Sequence, residues 1–225
     1  MDITNSVALV TGANRGLGRV LAQQLLTRGA TVYTAARNAA AADLPGAIPL
    51  QLDITDPESV RRAAERAGDV TFLINNAGIS TGADLLTGDL NQIRLDMETH
   101  YFGTLGVTRA FAPVIERNGG GAILNVLSVL SWAHFGGAGS YAAAKAAEWA
   151  QTDALRELLA PRGIQVSALH MAYVDTDMAA HIPADQKTAP DVIVKLALDG
   201  IEAGSPEILA DEITRTVKAG LSATR

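Results

Sequence analysis

The chain has 225 residues, 48% of them apolar, with 18 basic against 24 acidic side chains and a net charge of −6. That length suits one large α/β domain, the apolar share excludes disorder, and the absence of any basic run argues against a nucleic-acid partner. No cysteine is present, which excludes disulfides, thiolate metal sites and thiol nucleophiles, and no metal is expected. The opening stretch MDITNSVALV lacks the basic flank of a secretory or transit segment. No apolar run approaches the ~18 residues of a membrane span, so a cytoplasmic protein with no membrane partner is expected.

In chain order, VALVTG (7–12) reads as a buried strand ending in a turn. GRVLAQQLLTRGA follows as a helix, with an apolar stripe at Val20, Leu21, Leu25 and Leu26 closed by Gly29. TVYTAAR and AIPLQLDIT are the second and third strands. Asp56-Pro57 then starts a helix, Asp as N-cap and Pro at the first helical position, running to about Gly68. VTFLINNAG is the fourth strand, and one long helix is expected over roughly 89–118, broken by Gly119 to Gly121. AILNVLS is the fifth strand. A helix from Ser140 to about Leu159 is ended by Pro161 and Gly163. IQVSALH is the sixth strand, 191–203 is helical, EILA is a short seventh strand and the tail from Asp211 is helical. This alternation, with strands apolar on both faces, predicts an α/β fold: a single domain over 1–225 with a doubly wound parallel sheet of about seven strands and helices on both faces. Ligands of such folds sit outside the carboxyl ends of the strands.

The first strand ends in TGANRGLG, a glycine turn between a strand and a helix. Glycines let a phosphate approach the backbone, and the helix N-terminus stabilises an anion, so a dinucleotide is the expected ligand. The residues facing it would be Gly12, Asn14, Arg15, Gly16, Leu17 and Gly18. The second strand ends in Ala36 and Arg37, with no Asp or Glu between Thr11 and Ala42. Two guanidiniums and no carboxylate suit the 2′-phosphate of NADP(H) better than the free 2′-hydroxyl of NAD. Asp53, at the end of the third strand and followed by Ile54, either accepts from the adenine amino group or caps a turn. Asn75, Ala77 and Gly78 of INNAG mark a tight backbone beside the ligand.

Ser128 ends the fifth strand, while Tyr141 and Lys145 open the helix after the next loop, four apart and on one face. Tyrosine has an ordinary pKa of about 10. An ammonium one turn away favours the phenolate, which makes the tyrosine a workable proton donor and acceptor. Ser128 would hold the carbonyl oxygen as negative charge grows on it.

TGANRGLG, NNAG, Ser128 and YAAAK together resemble the short-chain dehydrogenase/reductase family, and the thirteen-residue step from Ser128 to Tyr141 matches its usual spacing. The resemblance covers nearly the whole chain. It implies a Rossmann-type sheet and NAD(P)-dependent hydride transfer on an alcohol/carbonyl pair. Lys145 would also grip the nicotinamide ribose, and Val174 and Thr176 would bind its carboxamide. Dimers or tetramers would form through the helices of roughly 89–118 and 140–159.

The chain departs from that family in two places. His100 stands where the family has an asparagine that holds a water linking the lysine to solvent. It either serves as an alternative proton relay or fills the helix interface. Met171 and Ala172 stand where the family has Pro-Gly. A differently shaped, looser loop is expected there, with Met171 reaching the substrate. Trp132, Phe135, Tyr173 and Met178, with Ser128 and Tyr141, are the remaining candidate pocket residues, and a hydrophobic ketone or aldehyde is the expected substrate. Because of His100 and Met171-Ala172, an NADPH-binding sensor and an epimerase or dehydratase are the alternatives.

Overall fold

The computed structural model describes residues 1–221. Seven strands form one sheet: β1 (Val7–Thr11), β2 (Thr31–Ala36), β3 (Ile48–Gln51), β4 (Phe72–Asn75), β5 (Gly121–Val126), β6 (Ile164–His170) and β7 (Glu207–Leu209). Their order is β3-β2-β1-β4-β5-β6-β7, and every pairing is parallel. All carboxyl ends therefore lie along one edge, and the order reverses between β1 and β4, where a crevice opens.

Side-chain alternation explains the two cores. Ala8 and Val10 of β1 face one side, where they meet Leu21 and Leu25 of α1 (Gly16–Thr27) and Ile193 and Val194 of α6 (Pro190–Glu202). Leu9 faces the other side, with Val60 and Ala63 of α2 (Pro57–Arg66) and Phe111 and Ile115 of α4 (Thr104–Arg117). Covering both faces is what a parallel sheet of near-continuous apolar strands requires. Among the described residues, no helix is long and apolar enough to cross a membrane.

Local signals act as their chemistry dictates. Asp56 caps α2 by accepting from the Glu58 amide at 3.0 Å, with Pro57 in the first turn. α5 (Gly139–Leu159) runs into a 3-10 turn, and Gly163 leaves that turn at φ +70. Asp211 caps α7 (Glu212–Gly220), accepting from the Thr214 amide at 2.8 Å. The last four residues of the tail read as helical, 222–225, lie outside the described residues.

The single long helix expected over 89–118 is instead α3 (Leu90–Met97), a π-helical turn Glu98–Gly103, and α4. π turns recur at functional sites because the widened ring re-aims side chains. This one carries His100. Gly103 ends it, where an added Cβ would come within 3.0 Å of Ile54 Cδ1. β4 is shorter than expected because the amides of Asn76 and Ala77 turn away to Thr11 Oγ1, at 2.9 and 3.0 Å. Ser128 lies two residues beyond β5, where its hydroxyl caps a short 3-10 turn through the Leu130 amide.

A buried polar seam ties the sheet centre to its helices. Asn75 Nδ2 donates to Asn125 Oδ1 at 2.8 Å and to Thr108 Oγ1 at 3.1 Å. Asn125 Nδ2 donates to Thr152 Oγ1 at 2.9 Å, and that hydroxyl donates to the Glu148 carbonyl at 2.6 Å. Asn125→Leu would leave one N–H of the Asn75 amide without its acceptor, only the bond to Thr108 remaining. Its expected cost is about 2–3 kcal/mol, read as a lower urea midpoint at unchanged slope.

Candidate active site

The glycine turn is first a packing device. Gly12 has φ +66, and a Cβ there would meet Ala77 Cα at 2.9 Å; at Gly18 it would meet Gly12 O and Asn76 Nδ2 at 2.4 Å. The turn thus lies directly against the end of β4, held by Asn76 Nδ2 donating to Thr11 O at 2.8 Å. At Gly16, φ +52, an added Cβ would meet only the Thr176 side chain, at 3.5 Å. Gly16 and Thr176 therefore face each other across the crevice. Leu17 packs toward the core, so only its backbone can serve a ligand, while Asn14 is half-buried. Arg15 is exposed and 3.4 Å from Asp177, and Arg37 is exposed just past β2. An exposed guanidinium within a glycine turn at a helix N-terminus, with a second just past β2, fits the phosphates of a dinucleotide.

The same edge continues to the polar cluster. A Cβ on Gly78 would sit 2.7 Å from His100 Cε1, so this glycine is what seats the imidazole. His100 packs edge-on to Tyr141, ring centroids 5.2 Å apart. Lys145 Nζ lies 5.9 Å from the Tyr141 ring centre and donates to the Val126 carbonyl at 2.7 Å. The Ser128 hydroxyl favours the ionised form of the phenol. The structure thus gathers Ser128, Tyr141, Lys145 and His100 beside the glycine turn.

Comparison with known proteins agrees. The family model for short chain dehydrogenases matches residues 6–187. The chain belongs to the short-chain dehydrogenase family. A 3-oxoacyl-(acyl-carrier-protein) reductase of Escherichia coli (strain K12) is 32% identical over 197 residues, covering 83% of this chain and 81% of the relative. A short chain dehydrogenase from Burkholderia cenocepacia J2315, solved in complex with NADP, is 40% identical with a TM-score of 0.95, covering 100% of this chain and 96% of its own. A 3-ketoacyl-(acyl-carrier-protein) reductase from Brucella melitensis, complexed with NADH, is 26% identical with a TM-score of 0.82, covering 91% of this chain and 93% of its own. As a short-chain dehydrogenase, the protein is an oxidoreductase.

Its electrostatics differ from the simple tyrosine–lysine picture. Burial pushes the Tyr141 phenol up; Lys145 opposes this, Glu148 adds to it, and the net effect is upward. Lys145 thus acts on the phenol in the expected direction, but burial outweighs it. Burial works against the Lys145 charge, yet Glu148 and Tyr141 hold its proton on, and the net direction is up. Burial likewise works against the Glu148 carboxylate, but Lys145 and His100 keep it below the usual range. Two buried residues escaped the sequence reading. Glu148 lies three positions beyond Lys145 on the same helix face, a spacing that could have flagged it. Asp96 accepts from the Ser140 hydroxyl at 2.6 Å and from the Thr81 hydroxyl at 2.7 Å, pinning the start of α5. No local pattern marks it.

Several expected contacts are not made. Trp132 is buried, stacked on His170 at 3.9 Å and capped by the Lys218 ammonium at 4.4 Å, so it belongs to an interior cluster and not to a pocket wall. Met171 is buried in the core, and its loop is anchored, not loose. Ala172 N donates to Asp211 Oδ2 at 2.7 Å, and Val129 N donates to the Met171 carbonyl at 2.8 Å. The Asn75 side chain is spent in the buried seam, and Asn76 is the one that meets the glycine turn. Asp53 caps its turn through Thr55, at 3.0 Å from the amide and 2.7 Å from the hydroxyl. Ile54 rests against α4. Val174 is buried beneath the loop that presents Thr176, while Phe135, Tyr173 and Met178 are exposed.

His170 supports this arrangement from behind. Its Nδ1 is 3.2 Å from the Ser128 carbonyl, and burial holds its pKa down to about 4, with the cations Lys218, Lys145 and Arg156 adding to the effect. The unfolded chain takes up a proton here near pH 6.5, before the folded chain does. Stability contributed by the neutral ring is thus complete above that pH and is lost as the pH falls toward 4, by about 3 kcal/mol. Urea midpoints of His170→Phe are expected to flatten in that window relative to the parent protein.

Proposed function

We propose that this oxidoreductase uses NADP(H) to interconvert a carbonyl and an alcohol, in the direction of reducing a hydrophobic ketone or aldehyde. The observation that carries the reading is the gathering of Ser128, Tyr141 and Lys145 on the ligand edge of the sheet, beside a glycine turn that contains Arg15, with Arg37 just past β2. The NADP complex of the Burkholderia relative supports the choice of cofactor, and the ketoacyl reductases among the relatives support carbonyl reduction. The exposed apolar side chains of Phe135, Tyr173 and Met178 suit an apolar substrate at an open rim.

Bound NADPH supplies the hydride. Backbone amides of the glycine turn and the two arginines would hold its phosphates, and Thr176, presented by the loop over the buried Val174, would meet the nicotinamide end. Ser128 donates to the carbonyl oxygen and fixes its position. Tyr141 gives that oxygen its proton, and the Lys145 ammonium stabilises the phenolate left behind. Tyr141→Phe is expected to reduce ketone-dependent NADPH oxidation by at least about 10³-fold, with NADPH binding, followed by fluorescence, retained. A panel including 3-oxoacyl thioesters and simple hydrophobic ketones would find the substrate class. NADPH binding with no turnover on any of them would mark a nucleotide-binding protein instead. Arg37→Ala should weaken NADPH about tenfold while leaving NADH nearly unchanged, because only the former carries the 2′-phosphate.

The family resemblance also supports a homodimer or homotetramer. Leu95, Phe102 and Leu158 are exposed on α3, the π turn and α5. A groove of about 670 Å³ lined by Ile54, Phe102, Pro113 and Val114 lies between α2 and α4, away from the catalytic cluster. Light scattering is expected to report a mass above that of one chain, and Phe102→Glu to lower it.

A further inference from the structure

The segment after β4 is tied along its length to the helices beside it. Exposure alternates residue by residue from Gly78 to Asp84, the odd-numbered positions being half-buried. Each odd position is held from the helical side. The Ile79 carbonyl lies 2.7 Å from His100 Nε2. The Thr81 hydroxyl donates to Asp96 Oδ2 at 2.7 Å, and the Thr81 amide to Asp96 Oδ1 at 3.2 Å. The Ala83 carbonyl accepts from the Ser140 hydroxyl at 3.5 Å. Leu85 rests on Gly139, where an added Cβ would meet Leu85 Cδ1 at 2.5 Å. The chain then turns on itself, with Asp84 Oδ1 accepting from the Leu86 and Thr87 amides at 2.9 and 2.8 Å. That turn leaves Leu85 53% and Leu86 94% exposed, and Phe135, four residues before Gly139, is exposed as well. Apolar side chains thus gather near the start of α5.

Asp96, on α3, is the centre of these ties. It is fully buried, and besides the two Thr81 groups it accepts from the Ser140 hydroxyl at 2.6 Å. α5 has no side-chain cap of its own: Ala138 stands at the N-cap, and no acidic residue lies in the first turn. Asp96 brings a carboxyl group to that turn from another helix, and the positive end of the helix favours it there. A buried carboxyl group without partners would be costly. Thr81 and Ser140 must therefore meet the same two oxygens, and neither moves independently of the other. We propose that Asp96 is a positioning residue with two tasks: through Ser140 it sets the first turn of α5, and so the place of Tyr141, and through Thr81 it holds the 79–88 segment as a wall against the apolar part of the substrate. The proposal rests on the reading of Tyr141 as the proton donor. Ser140 directly precedes Tyr141, so a shift there carries the phenol with it, and a misplacement of about 1 Å can cost about 10²-fold in rate. A loosened wall acts on substrate affinity instead. The two tasks thus divide between kcat and KM.

The test compares full-length Ser140→Ala, Thr81→Val and Asp96→Asn with the parent by ketone-dependent NADPH oxidation, NADPH fluorescence and amide hydrogen exchange. Ser140→Ala is expected to lower kcat about tenfold with little change in ketone KM. Thr81→Val should raise the KM for a hydrophobic ketone about tenfold at a kcat near the parent's. Asp96→Asn, with one acceptor oxygen replaced by a donor, should do both. NADPH affinity should hold in all three, since the glycine turn follows β1 and makes none of these contacts. In exchange, Asp96→Asn should speed the amides of 79–88 and 139–144 and leave the sheet at parent rates. A merely structural role predicts exchange rising throughout, with kcat and NADPH affinity falling together. That result, or parent-like kcat and KM in Asp96→Asn, overturns the proposal. If Asp96→Asn does not fold, the two hydroxyl variants decide, and loss of the same parameter in both rejects the divided role. A parent that turns over no carbonyl would sink the carbonyl-reductase reading instead, while exchange still reports whether Asp96 ties the two segments together.

Discussion

The ammonium of Lys145 lies at a point in the protein that water scarcely reaches, and much of the surrounding structure exists to keep it charged. An isolated buried ammonium would shed its proton, because burial disfavours the ionised form. Here a strand carbonyl and a carboxylate each take one of its hydrogens. The carboxylate in turn takes support from the Thr104 hydroxyl, while the His100 ring of the π turn packs behind it. That turn must widen to aim His100 inward, and Gly78 must lack a side chain to admit the ring. Each demand passes to the next element, so one buried charge organises β4, β5, the π turn and α5 together.

The second organising constraint is the parallel sheet. Because all strands run the same way, the glycine turn after β1, the tight backbone after β4, Ser128 after β5 and the loop after β6 share one edge. The buried Asn75–Asn125–Thr152 seam reaches from the sheet centre to the backbone of Glu148. Stability of the core and the position of the charged array are therefore linked through the same hydrogen bonds. The far side of Ser128 is held by His170, Trp132 and α7, which gives the site a firm back wall.

Much of the site could be read without coordinates, for identifiable reasons. Strand-and-helix alternation, the glycine turn, and the Tyr141–Lys145 spacing are local patterns with local causes. Asp56-Pro57 and Asp211 mark helix starts because capping needs only a few consecutive residues. Trp132 and Met171 were misjudged because an apolar side chain near an active-site loop can face either way, and sequence carries no sign of which. The Met171-Ala172 loop was expected to be loose because its anchor, Asp211, is 39 positions away. Asn75 and Asn76 look equivalent in the chain, yet period-two alternation sends one into the core and the other to the glycine turn.

By itself, then, the sequence determined the fold class and the ligand edge and picked out the trio to which the chemistry is assigned by proposal, since each depends on residue types at short, regular spacings. Tertiary structure alone decided what surrounds that trio: Glu148 and His100 against Lys145, Asp96 under Ser140, His170 behind Ser128. Electrostatic environment depends on distance and burial in three dimensions, and groups far apart in the chain become the nearest charges only once the sheet and its helices have packed.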